Sequence, residues 1–350
     1  MSTRTIRVGF IGAGSVSNRH AEAYKTVPNA KVVAVSDLVE SLANQKKVAW
    51  GAEKAYTDYH QMLRDADIDV VNVCTPNGYH PEQVIAAAEA GKHVLVEKPM
   101  ANSVKECDDM IAAAKRNHVK LQIGHNLVFF PLIEEAKRLV DTGIGMPIVI
   151  TSRRNSAHLF GGWRADSKVN AGFLMEACVH QFIIARFFMG EFKRVSCTVA
   201  KTSDKASYDD QVVVANWEFE NNRYGTLTAN QGGPAPFSLD PVEVIGSEGG
   251  VFVPGIEQIY TPGAPLTHYR DGAYTQYVRR NPRAAYAAPS KYAVDDVCYN
   301  SFNYEMQHFI DCVVNDKTPR VTGEDGRKVM QAVLACYESS RDGRRVTLSP

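Results

Sequence analysis

Along the first third of the chain, short apolar runs alternate with segments of helical period. The runs 6–12 (IRVGFIG), 31–37 (KVVAVSD), 70–76 (VVNVCTP), 93–99 (HVLVEKP) and 120–126 (KLQIGHN) are nearly continuous in apolar residues. Strands buried on both faces of a parallel sheet read this way, because neither face meets water. Between them, 17–27, 39–50, 78–91 and 103–117 have the length and spacing of helices. The repeat predicts βα units in an α/β layer structure.

Past residue 126 the rhythm changes. A helical segment at 131–142 precedes a strand at 147–154, and AGFLMEACVHQFIIARFFMG (171–190) reads as one helix. Runs at 193–201, 211–219, 223–230 and 241–246 follow with short connections, which suit antiparallel pairing. The region 254–290 is rich in Pro and Gly and shows little periodicity, so it is expected to be a long irregular excursion with a functional or contact role. Helices at 301–315 and 323–341 close the pattern, and no internal repeat is present.

A length of 350 residues accommodates two domains with ordinary cores, and a 45% hydrophobic, 22% charged composition is that of a globular protein. Thirty-nine basic residues balance thirty-nine acidic ones without a basic block, which argues against nucleic acid or an anionic membrane as partner and for a small ligand. The cysteines at 74, 107, 178, 197, 298, 312 and 336 are odd in number and lack C-x-x-C spacing, so they read as reduced core residues. No apolar run has the length of a signal peptide or a membrane span, and the expected location is the cytoplasm.

The segment GFIGAGSVSNRH (9–20) lies where the first strand turns into the first helix. Gly12 permits the tight turn and Gly14 lets the backbone approach a pyrophosphate, which would rest on the helix N-terminus at Ser15 and Val16. The third glycine position holds Ser17, a departure from the dinucleotide fingerprint. The second strand ends in Asp37, about twenty residues on, where a carboxylate can accept both hydroxyls of an adenosine ribose. Asp37 would repel a 2′-phosphate and Leu38 supplies no arginine to bind one, so NAD is expected over NADP. The competing reading is a bare glycine turn with Asp37 as a helix cap. Strand, loop, helix and acid in the required order favour a Rossmann dinucleotide-binding domain over 1–125. An α/β domain over 126–350, with a large, mostly antiparallel open sheet, would follow it.

Ligands bind at the carboxyl ends of such strands. Thr75, Pro76, Asn77 and His80 in VCTPNGYH (73–80), and Glu97 and Lys98 in VEKPM (96–100), should therefore line the nicotinamide. A partly desolvated lysine there can polarise a carbonyl or relay a proton, with Glu97 to hold it; the alternative is a surface ion pair. In GFLMEACVHQF, Glu176 and His180 stand four apart and would share a helix face. A neutral imidazole can take an alcohol proton while hydride leaves the same carbon, although an isolated histidine on an apolar helix is more often a core residue. Two such groups without a third do not make a metal site, and none is expected.

At this point the chain resembles the family of glucose-fructose oxidoreductase, inositol 2-dehydrogenase and rhizopine-catabolism proteins. The resemblance rests on GAGSVSNRHAEAY, CTPNGYHPEQVIAAAEAGKHVLVEKPMA, GHNLVFFP, GWRADSKVNAGFLMEACVHQF and RVTGEDGRKVMQAVLACYESSRDGRRV. It implies that Lys98 contacts the reacting hydroxyl beside the nicotinamide, that Pro99 fixes its turn, and that His180 acts on substrate. It also implies that Asn126 contacts substrate and that Trp163 and Arg164 reach toward the cofactor, although packing or a surface charge would explain either residue. Relatives usually carry aspartate where Glu176 stands, and often an acidic residue at Gln181. The implied reaction is reversible oxidation of a ring CH–OH in a sugar, sugar derivative or inositol by a homodimer or homotetramer. The alternatives are an NAD-recycling epimerase or glycoside-cleaving enzyme, and a non-catalytic sensor.

Overall fold

The computed structural model describes residues 4–166, 169, 172–204, 206, 208–233, 240–255, 266–277 and 301–349. The chain forms two compact units. One comprises Met1–Asn126, Lys168–Asn170 and Phe302–Met330, and the other Leu127–Ser167, Ala171–Ser301 and Gln331–Pro350.

The first unit is built on β1 (Ile6–Ile11), α1 (Ser15–Tyr24), β2 (Ala30–Ser36), α2 (Glu40–Trp50), β3 (Lys54–Tyr56) and α3 (Tyr59–Asp65). It continues through β4 (Val70–Val73), α4 (His80–Glu89), β5 (His93–Glu97), α5 (Val104–Arg116) and β6 (Leu121–Gly124). The strands are all parallel in the order β3-β2-β1-β4-β5-β6. Chain direction across the sheet reverses between β1 and β4, so the loops after these two strands diverge and leave a crevice at their carboxyl ends. The short β3 and α3 were not expected from the pattern, because three strand residues and seven helical ones carry too little periodicity to register.

The second unit contains α6 (Pro131–Thr142), β7 (Pro147–Ser156), α7 (Phe173–Glu176), α8 (Val179–Met189), β8 (Phe192–Ala200), β9 (Val212–Phe219), β10 (Arg223–Gln231), β11 (Val242–Gly246), β12 (Gly249–Val253), β13 (Leu266–Arg270) and β14 (Ala273–Tyr277). Two helices, α9 (Ser301–Val314) and α10 (Gly323–Asp342), and the edge strand β15 (Val346–Thr347) complete the chain. Nine strands run in the order β14-β13-β12-β11-β7-β10-β9-β8-β15. Every neighbouring pair is antiparallel except β7 and β10. One face buries Ile150, Trp217, Phe219, Leu227 and Val244, with Phe182 of α8 set edge-on to Trp217 at 5.0 Å between ring centroids.

Three expectations need correction. Part of 254–290 is not irregular: β13 and β14 form a hairpin around Asp271 and Gly272, whose φ values of 53° and 78° are those of a tight turn with two left-handed residues. The rest of that region, 256–265 and 278–290, lies outside the described residues. The helix over 171–190 is two helices, because Cys178 N bonds five residues back to Phe173 O while Gln181 N bonds only three back to Cys178 O. The third concerns the division at 125, since from Phe302 onward α9 returns to the first unit. Its Phe302, Met306, Phe309 and Ile310 join Phe10, Tyr24 and Leu95 in one apolar cluster. The cause is the parallel sheet itself, which needs apolar cover on both faces.

Phe309 is fully buried in that cluster, so Phe309→Ala is expected to cost about 3–5 kcal/mol. Denaturant unfolding measures it; a loss below about 1 kcal/mol would mean that α9 does not seal this core.

Candidate active site

At the end of β1 the chain must turn sharply into α1. Gly12 has φ 93°, and a Cβ there would sit 2.8 Å from Cys74 O, so only glycine fits. At Gly14 a Cβ would meet nothing within 4 Å, and Gly14 and Ser15 are exposed with Val16 half-buried beside them. No side chain caps α1, so its first N–H groups remain available to an anion. Ser17 is accommodated because its hydroxyl donates to Gly12 O at 2.9 Å inside the turn. Asp37 holds the loop to the second strand: Oδ2 accepts from Ala13 N and Oδ1 from Val39 N, both at 2.9 Å. Each oxygen keeps a lone pair for a ribose hydroxyl. Leu38 is 91% exposed and offers no positive group. The loop, the open helix end and the carboxylate fit NAD.

The turns after β4 and β5 are tied together by His80, which lies fully buried with Nε2 2.8 Å from Thr75 O and Nδ1 3.0 Å from Pro99 O. Burial pushes its imidazole below the ordinary value, against the pull of those carbonyls. His80 thus holds the two turns and presents no nitrogen to solvent. Thr75 and Pro76 remain half-buried, while Asn77 is buried and donates to Asn102 Oδ1 at 2.7 Å. Lys98 leaves the strand half-buried through a cis Lys98–Pro99 peptide. Asn126 is buried at the start of a 3-10 turn, Asn126–Phe129, beyond β6.

Beneath Lys98 lies a polar cluster inside the sheet's apolar face. Glu97 is 6% exposed, with Oε1 2.8 Å from His20 Nε2 and Oε2 accepting from Lys98 N at 3.1 Å. His20 Nδ1 is 2.6 Å from Asn72 Nδ2, and Tyr24 Oη donates to Asn72 Oδ1 at 3.1 Å. Burial works against the charges of both His20 and Glu97, yet the pair overcomes it. Cys74 and the Glu97 carboxylate hold the imidazole above its ordinary value, and His20, then Lys98 and His80, hold the carboxyl below its own. Glu305 on α9 faces this pair fully buried, and neither carboxyl oxygen has a hydrogen-bond partner among the described residues. Burial, with the Glu97 charge added and His20 opposing, holds the Glu305 carboxyl well above the usual range. Two carboxyls in one desolvated site are thus pushed in opposite directions, Glu97 toward the ionised and Glu305 toward the neutral acid.

In the second unit Glu176 ends α7 and His180 is the second residue of α8, 5% and 8% exposed. Glu176 Oε1 accepts from Arg164 Nε at 2.9 Å. Arg164 in turn lies 4.5 Å above the half-exposed ring of Trp163. The expected cofactor pair Trp163 and Arg164 is therefore brought together with the expected substrate carboxylate.

Residues 6–125 match the family described as "Oxidoreductase family, NAD-binding Rossmann fold", and residues 137–348 its "C-terminal alpha/beta domain". The chain belongs to this oxidoreductase family, that of glucose-fructose oxidoreductase, inositol 2-dehydrogenase and rhizopine-catabolism proteins. Its cofactor is NAD. Among its relatives, the myo-inositol 2-dehydrogenase of Thermotoga maritima is 30% identical over 352 residues, 98% of each chain. The inositol 2-dehydrogenase of Rhizobium meliloti is 31% identical over 358 residues, 99% of this chain and 100% of the other. A levoglucosan dehydrogenase structure with NADH and levoglucosan superposes with a TM-score of 0.88, with 22% identity over 99% of this chain and all of the other, which speaks to the fold.

For this oxidoreductase, sequence reasoning missed His20, Asn72 and Glu305. Two signals were present: an asparagine inside VVNVC, a strand otherwise apolar on both faces, and a glutamate on the stripe Phe302, Glu305, Met306, Phe309 of α9. The raised Glu305 carboxyl gives a pH prediction. The folded protein keeps a proton that the unfolded chain releases, so this stability is complete below the ordinary carboxylate range and is lost as pH rises toward the raised folded value. Glu305→Gln should therefore gain thermal stability over the natural protein progressively from acid to alkaline pH. Parallel melting-temperature curves would show that Glu305 is ionised.

Proposed function

We propose that the protein is an NAD-dependent dehydrogenase of a ring CH–OH in a sugar, sugar derivative or inositol. The observation that carries this reading is Lys98, a half-buried lysine delivered by a buried, paired glutamate to the carboxyl end of β5, in the unit that holds the NAD loop. The inositol dehydrogenases among the relatives support the substrate class. Bound NAD supplies the hydride acceptor. Gly12, Gly14, Ser15 and Val16 hold its pyrophosphate, Asp37 its ribose, and the turns carrying Thr75, Pro76, Asn77, His80 and Glu97 shape the nicotinamide side. Lys98 Nζ polarises the reacting hydroxyl, His180 takes its proton, and Glu176, oriented by Arg164, binds a neighbouring hydroxyl, with Asn126 a further substrate contact.

Self-association is part of the proposal. Strand register puts Val214, Tyr224, Ile245, Phe252, Tyr269 and Tyr274 on one face of the nine-stranded sheet, each at least 40% exposed. An apolar face of that extent is expected to be covered by a second copy.

Two measurements test these readings. With a substrate that reduces NAD, Lys98→Met should lower kcat by about 10²–10⁴ with NAD affinity little changed, and His180→Ala should remove a near-neutral ionisation from the pH–rate profile. Normal turnover in both would leave them structural. In light scattering, Tyr224→Glu with Phe252→Glu should lower the mass to that of one chain, and an unchanged assembly would move the interface elsewhere.

A further inference from the structure

Tyr208 and Asp210 hold both pieces of chain that meet at Glu176. Toward the Arg164 side, Tyr208 Oη accepts from Phe160 N at 3.0 Å and donates to Gln231 Oε1, while its ring lies 5.5 Å from that of Phe160. Toward Glu176, the Asp210 carboxylate accepts from Phe173 N at 2.8 Å and Leu174 N at 2.7 Å, the opening residues of α7. Tyr337 Oη donates to the same carboxylate at 2.6 Å and accepts from Met175 N at 3.3 Å, so three successive N–H groups are held. Gly172 has φ 114°, and a Cβ there would fall 2.3 Å from Asp210 Oδ1, so the chain reaches the carboxylate only as glycine.

The chain next to Asp210 is itself braced. Gln211 Oε1 accepts from Thr202 N and Ser203 N, both at 2.7 Å, and Gln211 O accepts from Gln231 N at 2.8 Å. Asp210 is 2% exposed, and a buried carboxylate filled with backbone donors fixes those donors in direction as well as distance.

We propose that Asp210 and Tyr208 are positioning residues for the reaction: through this clamp they fix the Arg164–Glu176 pair and set where the Glu176 carboxylate meets substrate. This rests on the reading of Glu176 as a substrate group. Neither residue touches substrate; each acts through backbone whose displacement moves a side chain that does. A misplacement of about 1 Å can cost on the order of 10²-fold in rate.

The test is a double-mutant cycle of Asp210→Asn with Glu176→Gln, read as kcat and KM for the sugar or polyol, NAD dissociation constant and melting temperature. The amide cannot accept from all three donors. Asp210→Asn should lower kcat/KM by about 10–100-fold with NAD affinity unchanged. In the Glu176→Gln background it should cost no more than about twofold, the scatter of independent effects. Additive losses, or a loss confined to melting temperature, would make Asp210 merely structural. If Asp210→Asn fails to fold, Tyr208→Phe keeps the ring and loses the two hydrogen bonds, and the same cycle with Arg164→Met decides. Full activity of Glu176→Gln alone would overturn the underlying reading and the clamp with it, whereas an impaired Glu176→Gln with additive losses overturns only the clamp.

Discussion

A carboxylate withdrawn from water must find donors, and Glu97 is such a group at the point where the chemistry is expected. Its two oxygens are taken by His20 Nε2 and by the backbone N–H of Lys98. That requirement reaches outward: His20 needs Asn72, Asn72 meets Tyr24, and the nearby second carboxyl, Glu305, is pushed toward its neutral form by burial, because a further buried negative charge would be uncompensated. The parallel sheet and its covering helices bring these groups together. Asn72 and Glu97 come from neighbouring central strands, His20 from the crossover helix that follows the NAD loop, and Glu305 from a helix that returns late in the chain. Pairing Glu97 thus links the lysine to the same helix whose uncapped first turn is open to an anion.

Much of this was legible in the residues. Parallel strands buried on both faces cannot hide their apolar runs, so all the strands of the first sheet except β3 could be read, with the glycine turn and Asp37 in their places. Ser17 looked like a defect in the loop, and the structure turns it into an internal hydrogen bond to Gly12 O. The hairpin at Asp271 and Gly272 was missed: Asp-Gly between alternating residues is a strong turn signal, but the region's prolines and glycines led to its being read as irregular.

What could not be read depends on contacts distant in sequence. Nothing near Glu305 announces that His20 and Glu97 will face it, because the return of α9 is a property of the sheet's need for cover. Glu176 and His180 look like one helix face at four-residue spacing, yet the chain widens and then tightens between them, and Glu176 turns to Arg164. The anchors of that segment, Asp210 and Tyr337, lie in stretches whose local pattern says only loop and helix.

Membership of an NAD-binding oxidoreductase family leaves the proposed chemistry open to one direct measurement. Purified protein and NAD are mixed with inositols, hexoses, anhydrosugars and sugar phosphates in turn, and the absorbance of reduced nicotinamide is followed. A dehydrogenase of ring hydroxyls predicts that reduced nicotinamide accumulates in proportion to substrate oxidised for at least one of these compounds. Conversion of a sugar to product with no net reduction of NAD, in a protein that retains its cofactor through purification, would contradict it.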